Sequence, residues 1–254
     1  MFPVLFSIGP YKVYTFGFLL CLSFVISTFV VWRYAKEELK EEEYLDTFLY
    51  TGIVSLICAR LVYIIFNFDQ FGLNLLRYIV VRETPGLSLL GGLTGGVFFL
   101  WYYSKIKKLQ FFQLLDLFSL ATVIFLIFAK IGQELSGAGF GKQTTSILAV
   151  RIIGLTGKRH PAELYEAVFY FLLSLVLFFV YKKILRERWP TGLVFYLFSA
   201  LSLFIVFLVE FLKDYRVYLY GLSLRQVAAL IMIILIAKPL LFRILQLKQI
   251  NKKN

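Results

Sequence analysis

Residues 111–141 read FFQLLDLFSLATVIFLIFAKIGQELSGAGFG, and the first eighteen, 111–128, hold one acid, Asp116, and no base. In a helix that rises 1.5 Å per residue, a run of about this length crosses the roughly 30 Å hydrocarbon core of a bilayer. A transmembrane helix is therefore expected over 111–128. The turn to small, polar and charged residues from Ala129 onward marks the exit of that helix into a connector.

Working outward, six further apolar runs complete the pattern: 13–32, 45–66, 86–103, 164–181, 191–212 and 222–241. The whole chain has 254 residues, 60% of them hydrophobic and 19% aromatic, with a mean hydropathy of +0.80. That composition lies in the membrane class. The expected fold is an all-α integral membrane protein, one polytopic domain over 1–254 with about seven transmembrane helices. Two long connectors, 67–85 and 130–163, are expected on one face, the outer one. The first apolar run is too long for a cleavable signal, and it lacks a basic start and a small-residue cleavage site, so it reads as an anchor.

The formal net charge is +12. A nucleic-acid partner would explain it, but the bases lie mainly in connectors and tails, which membrane topology alone accounts for. Arg33, Lys36 and Lys40 follow the first run, Lys105, Lys107 and Lys108 the third, and Lys182, Lys183, Arg186 and Arg188 the fifth. The tail adds Arg243, Lys248, Lys252 and Lys253. Lys12 precedes the first run, and Arg77, Arg82, Lys213 and Arg216 follow the second and sixth. The positive-inside rule then puts the N-terminus outside and the C-terminus in the cytoplasm. Cys21 and Cys58 fall inside expected spans, where a free cysteine acts as a small apolar residue. No disulfide, metal or organic cofactor is expected.

Charge inside a bilayer is costly, about 2.5–3.5 kcal/mol even on the lenient insertion scale, so each case needs a partner or a task. Arg60 in CARLVYIIFN admits two readings: an ion pair with Glu166, Glu210 or Asp116, or a fork for a lipid phosphate. Glu210 and Lys213 in FLVEFLKDY are three residues apart, which fits a helix-surface pair as well as a site. Asp116 reads as an interfacial residue. The only histidine opens RHPAELYE, 159–166. A residue before proline leaves the helical region and proline suits the first helical position, so His160 stands just outside a helix begun by Pro161, with Glu163 in its first turn. That density of Arg159, His160, Tyr165 and Glu166 at a helix entry suits a site as well as a helix start. The glycine-rich stretch PGLSLLGGLTGG, 85–96, serves either close helix packing or close approach of a substrate.

Taken together, these segments resemble the prolipoprotein diacylglyceryl transferase family over roughly residues 8–226. RHPAELYE looks like that family's R-H-P-x-x-L-Y-E, ARLVYIIFN like its G-R-x-x-Y-x-x-x-N, and GLSLLGG like G-x-S-F-H-G-G with Leu90 in the histidine's place. VEFLKD followed by GLSLRQ is similar to the end of the penultimate helix and the start of the last. The stretch 129–141 superposes without a gap on G-R-x-G-N-F-x-N-x-E-x-x-G. Gly132 and Gly141 match strictly, Lys130 stands for arginine, Gln133 and Ser136 for the two asparagines, Glu134 for phenylalanine and Ala138 for the acid. Lys213 likewise stands where the family has an arginine.

The resemblance implies seven helices with an outward N-terminus in a bacterial cytoplasmic membrane. It implies transfer of a diacylglyceryl group from phosphatidylglycerol to the lipobox cysteine thiol of a preprolipoprotein. The implied partners are phosphatidylglycerol, the signal peptide of the preprolipoprotein and the bilayer, and no nucleic acid. Implied catalytic residues are His160, Arg60, Lys130, Lys213 and Glu210, with Glu134 as a second candidate base. Implied substrate contacts are Arg159, Tyr165, Glu166, Gln133, Ser136, Gly91, Gly92, Gly132 and Gly141. Two other readings of the chain are a homologue that binds lipid or signal peptide without chemistry, and a small transporter, for which the sequence lacks paired halves.

Overall fold

The structure, a computed structural model, describes residues 2–37, 40–72, 78, 86–152, 156–214, 217 and 220–253. Arg77, Arg82 and Arg216, used above for topology, lie outside the described residues. The chain opens with a hairpin of β1 (Val4–Ile8) and β2 (Tyr11–Tyr14). Helices α1 (Thr15–Glu37), α2 (Glu41–Phe66), the single turn α3 (Phe68–Phe71), α4 (Leu89–Ile106) and α5 (Phe111–Ser136) follow. A second small ribbon, β3 (Val150–Arg151) with β4 (Lys158–Arg159), precedes α6 (Ala162–Glu187), α7 (Leu193–Glu210) and α8 (Leu224–Lys253).

Six of these helices are long and apolar enough to cross a membrane: α1, α2, α5, α6, α7 and α8 up to Gln249. The all-α membrane class holds, with two minor ribbons added. The expected third span is α4, whose 18 residues include four glycines, Trp101, two tyrosines and Lys105, which dilute its apolar character. The first expected span starts two residues late, at Thr15, because β2 occupies Tyr11–Tyr14.

The chain divides into two compact units, residues 31–114 and residues 1–30 with 115–254. In the first, α2 packs along α4. A Cβ on Gly91 would sit 2.5 Å from Val62 Cβ, and one on Gly95 would sit 2.4 Å from Cys58 Cβ. The glycines thus let two backbones approach, which is how helices associate where lipid tails are as apolar as leucine. Ser55 Oγ donates to the Gly92 carbonyl at 2.8 Å, and Ser88 caps α4 by accepting the Gly91 N–H at 3.2 Å.

In the second unit, Leu117, Leu120, Ala121 and Val123 are fully buried, so α5 runs through its core. α6 buries Glu166, Tyr170, Leu173, Leu177 and Tyr181, the three-and-four spacing of one helical face, and packs on α7, which packs on α8. Asp116 is buried. Its carboxylate accepts the N–H groups of Gly192 (2.5 Å) and Phe195 (2.8 Å), closing the amino end of α7, where Gly192 has no side chain to do so. α8 starts on a capping box: Ser223 N–H donates to Gln226 Oε1 at 2.8 Å, and Gln226 N–H to Ser223 Oγ at 3.3 Å.

Candidate active site

Three short segments of the second unit meet where α5 ends, α6 begins and α7 ends. Gly141 N–H donates to the His160 carbonyl (3.1 Å), His160 N–H to the Lys142 carbonyl (3.0 Å) and Lys142 N–H to the Leu212 carbonyl (2.7 Å). The strip around Gly141 therefore lies between the RHP segment and the chain just past α7. The approach needs glycine: a Cβ on Gly141 would come within 2.6 Å of the His160 carbonyl oxygen and 2.8 Å of that of Leu212. Pro161 is the residue before the helix rather than its first, since α6 begins at Ala162. Proline has no side chain that caps, and the orphan N–H of Glu163 is instead taken by Glu134 Oε2 at 3.1 Å. Glu134 thus terminates α6 from the last turn of α5.

Below that cap lies a closed ring of four charges. Lys130 Nζ is 2.6 Å from Glu163 Oε2 and 2.6 Å from Glu166 Oε2, and Lys213 Nζ is 2.7 Å from Glu163 Oε1 and 2.5 Å from Glu166 Oε1. The contact of Lys130 with Glu166 is ionic in distance but lies off the hydrogen-bond direction. Each lysine touches both carboxylates, and each carboxylate touches both lysines. The ring is neutral as a whole, which makes its burial tolerable: a single unpaired charge there would carry several kcal/mol of desolvation. Burial works against the Lys213 ammonium, but Glu166 and Glu163 outweigh it and raise the pKa above the ordinary lysine value. Lys213 is therefore an ammonium at neutral pH and not a base.

The expected surface pair of Glu210 with Lys213 does not form. Lys213 lies past the end of α7 and turns to Glu163 and Glu166, while Glu210 Oε1 accepts the Ser223 hydroxyl at 2.9 Å. Arg159 Nη1 reaches the Gly141 carbonyl (3.1 Å) and Asp214 Oδ2 (3.0 Å), with its guanidinium 5.2 Å from the centre of the Phe140 ring. Its Nε is buried with no hydrogen-bond partner. His160 Nδ1 is 3.4 Å from the Tyr165 hydroxyl. Ser136 Oγ closes the end of α5 on the Gln133 carbonyl at 3.0 Å, and Gln133 Oε1 is buried without a hydrogen-bond partner. Gly132 packs on the start of α1, where its Cβ would lie 3.1 Å from Leu19 Cβ.

In the other unit, Arg60 Nε donates to the Tyr78 carbonyl (3.1 Å) and Nη1 to that of Gly86 (3.0 Å), and its guanidinium is 5.0 Å from the Phe71 ring centre. The acids offered above as its partners have others: Glu166 has the two lysines, Glu210 has Ser223 and Asp116 has the α7 end. An almost wholly apolar groove of about 600 Å³ runs beside Arg60, walled by Leu56, Ile57, Leu61, Ile64 and Leu87. Gly91 and Gly92 face α2, and Leu90 is exposed. Among the described residues, no group of three or more His, Cys, Asp or Glu could hold a metal ion.

Sequence reasoning missed Glu163 and Asp214 as members of this constellation, and named Glu134 only as a candidate base, without its capping contact to the Glu163 N–H. A signal for Glu163 existed: Glu163 and Glu166 are three apart on one face of a membrane helix, and two carboxylates there call for two cations.

The sequence model of the prolipoprotein diacylglyceryl transferase family matches residues 3–242. A phosphatidylglycerol–prolipoprotein diacylglyceryl transferase of Geobacter sulfurreducens is 31% identical over 84% of this chain and 82% of its own. Proteins of the same name from Finegoldia magna and Clostridioides difficile are 29% and 28% identical, each over 91% of both chains. The chain belongs to the prolipoprotein diacylglyceryl transferase family, and is a multi-pass bacterial membrane transferase.

Proposed function

We propose that this chain transfers the diacylglyceryl group of phosphatidylglycerol to the lipobox cysteine thiol of preprolipoproteins. The observation that carries the reading is the ring of Lys130, Glu163, Lys213 and Glu166, which sets two ammoniums side by side in the segments that carry the family pattern. In the reaction an S–C bond forms at the glyceryl carbon that bears phosphate. The C–O bond to that phosphate breaks, glycerol phosphate leaves with the electron pair, and the thiol proton passes to a base. Ammoniums already in place stabilise the charge growing on the departing phosphate. The two carboxylates hold the ammoniums apart from each other's repulsion until that charge arrives.

A cysteine thiol near pKa 8.5 is only a few per cent thiolate at neutral pH, so it gains from a base. His160 takes that role. Nδ1 lies 3.4 Å from the Tyr165 oxygen, and in the tautomer that carries its proton on Nδ1, Nε2 is the acceptor for the thiol proton. Arg159 supplies a further phosphate-binding fork in this unit; in the other unit Arg60 presents a fork of its own beside an apolar groove that suits an acyl chain. Glu210, through Ser223, fixes the start of α8 relative to Lys213. Gln133, Ser136 and Tyr165 line the same end of α5 and α6. The setting is the bacterial cytoplasmic membrane with the N-terminus outside and the C-terminus in the cytoplasm. The contact of Gly132 with the start of α1 supports a site on the N-terminal, outward side, where a signal peptide and lipid enter laterally.

The test is purified protein with phosphatidylglycerol and a lipobox peptide, followed by mass spectrometry of the cysteine. A diacylglyceryl mass increase is expected. Retention of labelled phosphatidylglycerol with no mass change would replace this reading with lipid binding without chemistry.

A further inference from the structure

The end of α4 away from Arg60 carries features that the transfer reaction does not use. Gly91, Gly95 and Tyr103 of α4 meet Val62, Cys58 and Tyr50 of α2 in turn, so the two helices run antiparallel. Arg60 and its groove lie at one end of the pair, and Trp101 with Lys105 lies at the other. There a second apolar groove of about 650 Å³ opens in the same unit, walled by Leu93, Thr94, Val97, Phe98 and Trp101 of α4 and by Phe111 at the start of α5. Its size is that of clefts that hold a ligand, about 300–1,000 Å³. The hydroxyl of Thr94 is spent inside its own helix, donating to the Leu90 carbonyl at 2.7 Å. From residue 93 to residue 101 the groove follows α4 for about 12 Å, close to the depth of one leaflet, which is half of a hydrocarbon core of roughly 30 Å.

Positive charge stands where a lipid chain in that groove would meet its headgroup. Lys105 Nζ lies 3.8 Å from the centre of the Trp101 ring, so an ammonium sits on a wall of the groove itself. The helix then closes in a reversal: Leu109 N–H donates to the Ser104 carbonyl (2.8 Å) and Lys108 N–H to that of Lys105 (3.3 Å). Lys108 takes the left-handed conformation, φ 55°, at the position usually held by glycine. Leu109 is buried beneath this turn, which keeps the exposed Lys105, Lys107 and Lys108 close together. α2 begins at the same end with Glu41, Glu42 and Glu43, yet among the described residues none of these three lysines forms an ion pair. Tryptophan and lysine side by side are at home where hydrocarbon meets water, and a group of bases beside a cleft between membrane helices suits an anionic lipid headgroup.

We propose that this groove holds one anionic phospholipid, in the leaflet opposite to that served by the Arg60 groove. One acyl chain lies along residues 93–101 against Phe98 and Trp101, and the phosphodiester rests on Lys105, with Lys107 and Lys108 adding to the attraction. This lipid is a bound structural partner that fills the space between α4 and the start of α5. It is not the donor of the transferred group.

The test uses the full chain with Trp32→Phe and Trp189→Phe, which leaves Trp101 as the sole tryptophan. The protein is placed in phosphatidylcholine vesicles that carry a small fraction of either brominated phosphatidylglycerol or brominated phosphatidylcholine, and quenching of the indole by bromine reports which lipid is in contact. The affinity for brominated phosphatidylglycerol is expected to exceed that for brominated phosphatidylcholine by about fivefold, the scale of one lysine at a membrane surface. The preference should fall to parity in Lys105→Gln/Lys107→Gln/Lys108→Gln and persist in Arg60→Ala. Native mass spectrometry in detergent with phosphatidylglycerol needs no tryptophan substitution, and there the wild type is expected to retain one phospholipid more than the triple glutamine variant. Equal quenching by the two lipids means ordinary boundary lipid only and overturns the proposal. A preference that survives in the triple glutamine variant also overturns it, as does one lost in Arg60→Ala, which would trace the signal to the lipid of the other groove. If the tryptophan-substituted chain does not accumulate, the lipid count decides, and equal counts in wild type and triple variant overturn the proposal.

Discussion

Replacing Lys213 by methionine tests whether the four-charge ring carries stability. The side chain is 4% exposed and touches Glu163 at 2.7 Å and Glu166 at 2.5 Å. Methionine matches its length and apolar stem, so the packing change is small and the main loss is charge balance: Lys130 alone would then face two buried carboxylates. Breaking a buried pair by removing one partner costs roughly 3–5 kcal/mol. Against a total of about 5–15 kcal/mol that is a large fraction. At roughly 2–4 °C per kcal/mol for a chain of this size, the unfolding midpoint in mild detergent should fall by roughly 6–20 °C. The double variant Lys213→Met/Glu163→Gln restores neutrality with Lys130 and Glu166 paired, so it should be more stable than Lys213→Met alone. A double variant whose loss equals the sum of the two single losses would refute the ring as a coupled unit. The pH dependence follows from the raised lysine pKa. Such a group stabilises the fold fully below the unfolded value of about 10.4 and loses that contribution only as pH rises through the higher folded value. The gap between wild type and Lys213→Met should therefore stay constant from pH 7 to pH 9, measured as midpoint against pH.

Gly95→Val should separate α2 from α4, because its Cβ would meet Cys58 Cβ at 2.4 Å; a loss of about 1–3 kcal/mol is expected in thermal unfolding, and an unchanged midpoint would contradict the packing. Asp116→Ala and Glu134→Ala each remove a helix cap and should each lower stability by about 0.5–2 kcal/mol, with the asparagine and glutamine variants recovering part of it as acceptors without charge. His160→Gln should lower transfer by roughly 100- to 10,000-fold at neutral pH, with the residual rate climbing as pH approaches the thiol pKa of about 8.5. An unchanged pH–rate profile would assign proton removal to another group.

Helix count and order were legible because each apolar run is long enough to cross a bilayer, and a run of that length needs no partner to declare itself. α4 was legible as the short apolar run 86–103 and as a glycine-rich stretch. Its glycines answer to Val62 and Cys58 on α2, residues that sequence spacing does not connect to them. The helix start at RHPAELYE was placed within one residue by proline stereochemistry. The charge partners were not legible, because pairing in a membrane protein is set between helices. Lys130 and Glu163 are 33 residues apart and Lys213 and Glu163 are 50 apart, so intrahelical rules offered Lys213 only Glu210 as a partner and left Glu163 to the helix dipole. Each inference was locally sound and lost to a tertiary contact of higher charge density.

α5 shows how such contacts organise the second unit. It has an acid near each end, Asp116 and Glu134, eighteen residues and thus about 27 Å apart along the axis, close to the hydrocarbon thickness. Asp116 takes the amino end of α7 and Glu134 the amino end of α6. Consecutive helices joined by a short turn run antiparallel, so their amino ends lie at opposite sides of the bilayer. One buried helix thereby fixes both neighbours in depth with two carboxylates placed on orphan N–H groups, where lipid offers no water to satisfy them. The depth of α6 decides where Glu163 and Glu166 stand, and the turn of α5 just before the one that holds Glu134 presents Lys130 to them. The cap and the charged ring are therefore one device: sliding α6 by a single turn would part Glu134 from the Glu163 N–H and Lys130 from its carboxylates together. A ring made of lysines, which lack arginine's geometry, depends on that registration.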